Sequence, residues 1–378
     1  MDFTFDEQQL AVLELAEQIL ADRATPDRLN ALDASGDGFD DKLWADLAEA
    51  GLVGVALPEE HGGGGAGFAE LCVAIEAAAE HAAHAPLYEA ILLGALPVAR
   101  FGTAEQRARL LPGVVTGETL LSAALAEPGG NTPYAPATTA VPCEDGSWRL
   151  HGVKTLVPLA DRARRVLVPA ADEHGRTGVF LVDPGAHGVR AGRQDTLTRR
   201  PVYELELDGA CVTADDVLRP PGDGGELLDW LLPRATAGLC VQQVGVCTEA
   251  LRLTAGHTTS REQFGRPIGT FQAVTQRIAD AYIDTEAIRL TAWQAIWLLD
   301  QDVPADEEVA IAAWWAAEAA PRVLDATQHL HGGIGADLDY PLHRYFLLGR
   351  WNELALGGPA RHLHRLGTLM AGTATPQP

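Results

Sequence analysis

The stretch Ser260-Arg261-Glu262-Gln263-Phe264-Gly265-Arg266-Pro267-Ile268-Gly269-Thr270-Phe271-Gln272 separates two long helical patterns. Gly225 to Ser260 precedes it, Phe271 to Asp300 follows it, and Ala305 to His331 comes next. With a further segment after Tyr340, these lengths predict a four-helix-type bundle over 225–371. Upstream, short β-prone runs such as Arg165-Val166-Leu167-Val168-Pro169, Thr177 to Val182 and Val202 to Leu207 alternate with Gly, Pro and Asp. They predict a compact antiparallel β domain over 121–224. Residues 1–120 return to helix: Phe5 to Ala21 is amphipathic, and the pattern through Trp44 to Ala50 stops at Gly51. Arg23 to Asp37 and the tail 372–378 read as mobile. The fold class is mainly α with a central β domain.

The chain's 378 residues suffice for two or three domains. A formal charge of −24 repels phosphate backbones and anionic lipid, which excludes nucleic acid and a polybasic membrane contact. Any polyanionic ligand must therefore meet a local Arg or Lys cluster. The start, Met1-Asp2-Phe3-Thr4-Phe5-Asp6-Glu7, lacks the basic and apolar regions of a signal peptide. No apolar stretch reaches bilayer length, the densest being Ile311 to Ala317, so a cytoplasmic location is expected. Cys72, Cys143, Cys211, Cys240 and Cys247 show no CxxC spacing and read as reduced thiols. The run His61-Gly62-Gly63-Gly64-Gly65 lacks the strand and Lys-Ser/Thr of a phosphate loop and reads as a turn.

Several motifs occur in one order along nearly the whole chain. Gly51 to Gly63 (GLVGVALPEEHGG) comes first, then Gly102-Thr103-Ala104-Glu105-Gln106, Leu111-Pro112 and Gly117-Glu118. Ala126-Glu127-Pro128-Gly129-Gly130 and Gly152-Val153-Lys154-Thr155 follow. The Arg261 to Gln272 motif, His331-Gly332-Gly333-Ile334-Gly335 and Tyr340-Pro341 complete the set. This series resembles the acyl-CoA dehydrogenase family. The resemblance implies an N-terminal α domain, a middle antiparallel β domain and a C-terminal four-helix bundle. It also implies FAD, an acyl-CoA thioester substrate, and introduction of an α,β double bond. In that family the flavin lies between the β domain and the bundle, and the neighbouring subunit holds its ADP portion. The positions matched here are Arg261, Gln263, Phe264, Ile268, Gln272, His329, Gly332 and Gly333. Arg261 suits charge-assisted bonds to the diphosphate. Gly332 and Gly333 allow close backbone approach.

The sequence departs from the family where the chemistry sits. Aligning on Tyr340-Pro341 puts Leu356 where the family's catalytic carboxylate stands, and Leu cannot accept a proton. Glu353, one helical turn earlier, is the remaining candidate base; its other reading is a surface or dimer-interface carboxylate. The register used by members with a base on the first bundle helix holds Ala235, beside Thr236. Around the ring, Ala126 replaces a Thr, Leu156 a Trp and Pro158 a Thr. Three lost contacts would leave ring acceptors unpaired at about 1–3 kcal/mol each. His329 rather than Gln328 fills the usual Gln register. This pattern resembles the small subunits of bacterial heteromeric acyl-CoA dehydrogenases of steroid side-chain degradation, paired as α2β2 with a homologous subunit. The alternatives are a homo-oligomeric flavoenzyme, either a dehydrogenase with a displaced base or a flavin monooxygenase or tailoring enzyme, and a non-enzymatic thioester-binding or scaffold protein. His329, His331 and His343 read as packing and hydrogen-bonding residues, and no metal is expected.

Overall fold

The computed structural model describes residues 3–373. Six helices come first: α1 (Glu7–Arg23), α2 (Pro26–Ser35), α3 (Asp41–Glu49), α4 (Phe68–Glu80), α5 (Leu96–Phe101) and α6 (Ala104–Val115). A π-helical segment, Leu87–Ala95, leads into α5. Eight strands follow: β1 (Leu120–Ala123), β2 (Thr139–Pro142), β3 (Trp148–Pro158), β4 (Ala163–Ala171), β5 (Thr177–Val182), β6 (Val189–Gln194), β7 (Val202–Val212) and β8 (Val217–Arg219). Then come α7 (Gly224–Ser260), a short hairpin of β9 (Glu262–Gln263) and β10 (Arg266–Pro267), α8 (Gln272–Asp300), α9 (Asp306–His331), α10 (Leu342–Leu356) and α11 (Pro359–Thr373). This is the mainly helical fold with a central sheet that the sequence predicts. Among the described residues no helix is long and apolar enough to cross a membrane. The last five residues of the expected tail, 374–378, lie outside the described residues.

One expectation needs correction. Pro26–Ser35 is helical rather than mobile. Pro26 takes the first helical position, where its missing N–H costs nothing. Leu29 packs in a cluster with Val246, Tyr345 and Leu348, and Arg344 binds Asp33 and Asn30 on that helix. The sheet is antiparallel in most of its pairings, as expected. Its order is β6-β7-β3-β2-β4-β5-β8, but β1 pairs parallel with β4, and β2 meets β4 in parallel at Thr139–Ala171. Side chains including Leu150, Val157, Val166, Phe180, Leu205 and Leu207 form its apolar core.

The chain divides into two compact units, with one boundary inside α7 between Ala235 and Thr236. One unit holds the sheet with Gly36–Gly67 and Ala85–Ala235; the other holds residues up to Ser35, Phe68–His84 and the chain from Thr236. In the second unit Cys240 and Cys247 are buried on α7, and burial pushes both thiols up. Gly245 lies so close to α4 that a Cβ there would stand 2.4 Å from Glu76 O.

That unit also contains a cavity of about 280 Å³ lined in part by Phe5, Leu13, Glu17, Glu76 and Glu80. Trp293 donates its indole N–H to Glu76 at 2.8 Å. Burial, reinforced by Glu80, raises the Glu76 carboxyl to about 8. Burial, with Glu17 and Glu249, raises Glu80 to about 7. Both acids are protonated in the fold at pH values where the unfolded chain has released its protons. Their contribution is complete below about pH 4.5 and is lost as pH rises through 7 and 8. The thermal midpoint should fall by about 5 °C across that interval, and Glu76→Gln should flatten the decline in a calorimetric pH series.

Candidate functional site

The Arg261 to Gln272 motif folds as an exposed hairpin at the end of α7. Arg261 N–H closes the helix by donating to His257 O at 2.8 Å, and Ile268 N–H donates to Arg261 O at 2.8 Å. Gln263 pairs with Arg266 and Glu262 with Pro267, leaving Phe264-Gly265 as a two-residue turn. Both turn residues have positive φ, +54° and +76°. That geometry favours Asn-Gly; a bulky aromatic at the first position is strained. Phe264 is nonetheless 94% exposed, meeting Phe271 edge-on at 6.2 Å between centroids. The Arg266 guanidinium lies 4.1 Å over the Phe271 ring. Gln263 turns back to Glu262 O at 2.8 Å, Ile268 is half-buried, and Gln272 is exposed in the first turn of α8. Strained backbone that holds an aromatic ring in water is a mark of a surface built for a ligand or partner.

A ring stack joins the ends of α7 and α9. His257 and His331 lie 4.5 Å apart between centroids with planes 20° from parallel. The next residue, Gly332, ends α9 at φ +63°, ψ −140°, a conformation open almost only to glycine. A Cβ at Gly332 or Gly333 would meet nothing within 4 Å, so the space above both is open. The stack thus sets the last turn of α7, four residues before Arg261, against the residue that precedes Gly332. His329 is exposed in the last turn of α9, while Gln328 reaches Gly335 O and Ala336 N, each at 3.1 Å. His343 Nδ1 donates to Tyr340 O at 2.7 Å. Exposed guanidinium and aromatic groups, with bare glycine backbone, can hold a diphosphate and an adenine.

At the base register the Leu356 side chain is buried, 4% exposed, on the α10 face that also carries Tyr345, Gly349 and Asn352. Asn352 donates to Gln243 at 2.9 Å, and Gln243 donates to Gly349 O at 3.2 Å. His362 Nε2 donates to Leu356 O at 2.7 Å, closing the helix end ahead of Gly357-Gly358. Glu353 is held by Arg350 at 2.9 Å, and Arg350 binds Asp325 at 2.8 Å as well. Ala235 is buried in α7 and carries no titratable group.

In the sheet unit Ala126 and Thr155 are neighbours, with Thr155 N–H donating to Ala126 O at 3.0 Å. One extra residue enters β3 between Lys154 and Val157, a bulge that frees Thr155 and Leu156 from β7. Gln194 fills the gap: its carbonyl accepts from Leu156 N–H at 2.9 Å and its amide donates to the Thr155 hydroxyl at 2.9 Å. Leu156 sits at φ +54°, its side chain outward, and Pro158 O accepts from Ser122 Oγ at 2.6 Å. Sequence reasoning missed Gln194 and His257, since neither belongs to a motif.

Beneath this edge lies a buried ion pair. Lys154, fully buried, donates to Glu127 at 2.7 Å, and Glu127 also accepts from Thr138 Oγ at 2.6 Å and Ala137 N–H at 2.6 Å. Burial alone would raise the Glu127 carboxyl; the hydrogen bonds from Lys154, Thr138 and Ala137 outweigh it and hold it at about 2.

The acyl-CoA dehydrogenase N-terminal domain family matches residues 6–118, and the acyl-CoA dehydrogenase C-terminal domain family matches residues 222–366. Acyl-CoA dehydrogenase FadE27 of Mycobacterium tuberculosis is 39% identical over 381 residues, covering 99% of this chain and 100% of that protein. The ChsE4-ChsE5 complex of Mycobacterium tuberculosis has a chain that superposes with a TM-score of 0.93 at 38% identity, covering 100% of both. A chain of the Tcur3481-Tcur3483 steroid ACAD superposes at 0.90 with 44% identity, covering 98% of this chain and 99% of that one. The chain belongs to the acyl-CoA dehydrogenase family. Members are oxidoreductases that use FAD.

The ion pair yields a test of the scaffold. Glu127's stability contribution is complete above about pH 4.5 and is lost as pH falls towards 2. Lys154→Met, which strands a buried carboxylate, should cost about 3 kcal/mol in urea unfolding at neutral pH. Adding Glu127→Gln should recover more than half of that loss.

Proposed function

We propose that this chain is the β subunit of an α2β2, FAD-dependent acyl-CoA dehydrogenase, contributing the ADP-binding half of a flavin site shared with a homologous subunit. The carrying observation is the contrast between Leu356, an apolar side chain buried at the base register, and the hairpin after α7, whose cation and aromatic groups stand in water. Dehydrogenation of a thioester removes an α-proton to a carboxylate and a β-hydrogen as hydride. Bound FAD supplies the hydride acceptor. The carboxylate comes from the partner in this reading, because Glu353 is tied to Arg350 and Ala235 carries no base.

The ADP portion fits the residues present. Arg261 binds the diphosphate, Gly332 and Gly333 admit it against their backbone, and Phe264 and Ile268 pack beside the adenine or flavin. Gln263, Gln272 and His329 supply polar contacts around them. The isoalloxazine does not fit this chain's own sheet edge. Ala126, Leu156 and Pro158 offer it no side-chain donor, and Gln194 already takes the Leu156 N–H and the Thr155 hydroxyl. The steroid ACAD and the two-protein ChsE4-ChsE5 complex among its relatives support a heteromer acting on a steroid side-chain acyl-CoA.

Purified alone, the chain should turn over at least about 100-fold more slowly than with its partner, the scale of a missing general base. Equal turnover by the single chain would overturn the reading. In the assembly, Arg261→Ala should weaken FAD by about 10- to 100-fold, as expected for a charge-assisted contact. Glu353→Gln should leave turnover unchanged; a loss of about 100-fold would return the base to Glu353.

A further inference from the structure

The two stacked imidazoles are not equivalent. Both nitrogens of His331 are committed: Nδ1 donates to Thr327 O at 2.8 Å, and Nε2 accepts from the Tyr340 hydroxyl at 3.0 Å. The backbone carbonyl fixes that tautomer. His257 lies flat against it, yet among the described residues no hydrogen bond reaches either of its ring nitrogens. It occupies the last turn of α7, four residues before Arg261, so both side chains leave one face of the helix. The stack sets it beside the residue that precedes Gly332, where the space above the backbone is open.

We propose that His257 is a further diphosphate-binding residue of this chain, its free imidazole edge donating to a phosphoryl oxygen alongside the Arg261 guanidinium. The proposal rests on the ADP-half reading above and adds to it a proton. Without ligand, burial and then the Arg261 charge hold His257 below the ordinary histidine value, so the ring is neutral near pH 7. The groups facing it are Arg261 on its own helix, His331 on α9 and, behind His331, Tyr340. Glu249 and Arg252, further back on α7, pair with one another. None is an anion aimed at the free edge of the ring. A diphosphate dianion placed there favours imidazolium, so the site takes a proton from solvent as the ligand binds. Affinity therefore rises as pH falls.

ADP-ribose separates this claim from the flavin ring, since it carries the same diphosphate and no group that titrates near neutrality. Calorimetric titration into the full-length chain, in two buffers of different ionisation enthalpy, counts the protons taken up. The expected result is net uptake near pH 7 and binding about tenfold tighter at about pH 6 than at about pH 8. His257→Phe, which keeps the stack, should abolish both the uptake and the pH dependence. His257→Gln, which keeps a donor but cannot titrate, should bind without uptake and at a pH-independent affinity close to that of wild type at the higher pH. Binding lost in Arg261→Ala but with unchanged affinity and uptake in His257→Phe would overturn this proposal and leave the ADP-half reading standing. Failure of the wild-type chain to bind ADP-ribose at all would remove both.

Discussion

A polar heterocycle buried in protein must have its carbonyls and N–H groups met there, because each one left bare costs about 1–3 kcal/mol. That constraint sorts the residues of this chain. Along one sheet edge the groups that would face a ring are apolar or occupied: Ala126, Leu156, Pro158 and the Gln194-filled bulge. One residue away on each segment, Glu127 and Lys154 remain locked together in the interior. In the proposed reading the scaffold of the ring edge persists without its ring-facing donors. Such a separation is physically straightforward, since the ion pair holds β3 to the Glu127 segment whether or not anything binds outside it.

The other half follows the opposite rule. A diphosphate needs concentrated positive charge and approachable backbone, and on a chain with a net charge of −24 these have to be local. In the proposed reading the hairpin after α7 supplies them, with Phe264 at positive φ and almost wholly in water. The His257–His331 stack joins the last turn of α7, just before the hairpin, to the end of α9, just before Gly332. The proposed assembly follows from this division, with another chain bringing the ring contacts and the base.

Much of this was legible in the sequence. The long helices α7, α8 and α9 are readable because each repeats its pattern over many turns, and the Arg261 to Gln272 motif carries its chemistry in its residue types. Helix α2 was not readable: its ten residues, PDRLNALDAS, are rich in cap and turn formers. Its helicity depends on Leu29 packing with α10 and on Arg344, over 300 positions away in sequence. The parallel pairing of β1 with β4 escaped for a similar reason, since a four-residue strand carries no signal of its partner. In the site, the losses at Leu356, Ala126 and Pro158 were visible as residue types. The bulge filled by Gln194 and the unpaired ring of His257 were not, because each is defined by a contact between distant segments rather than by spacing along one of them.

In the proposed assembly two chains share one flavin. Native mass spectrometry of the intact assembly with its homologous partner, under conditions that retain FAD, counts cofactors against chains. Composite sites predict two FAD in an α2β2 tetramer, one for each pair of chains. Four FAD in that tetramer, or one FAD per chain in an assembly of this chain alone, would contradict the account.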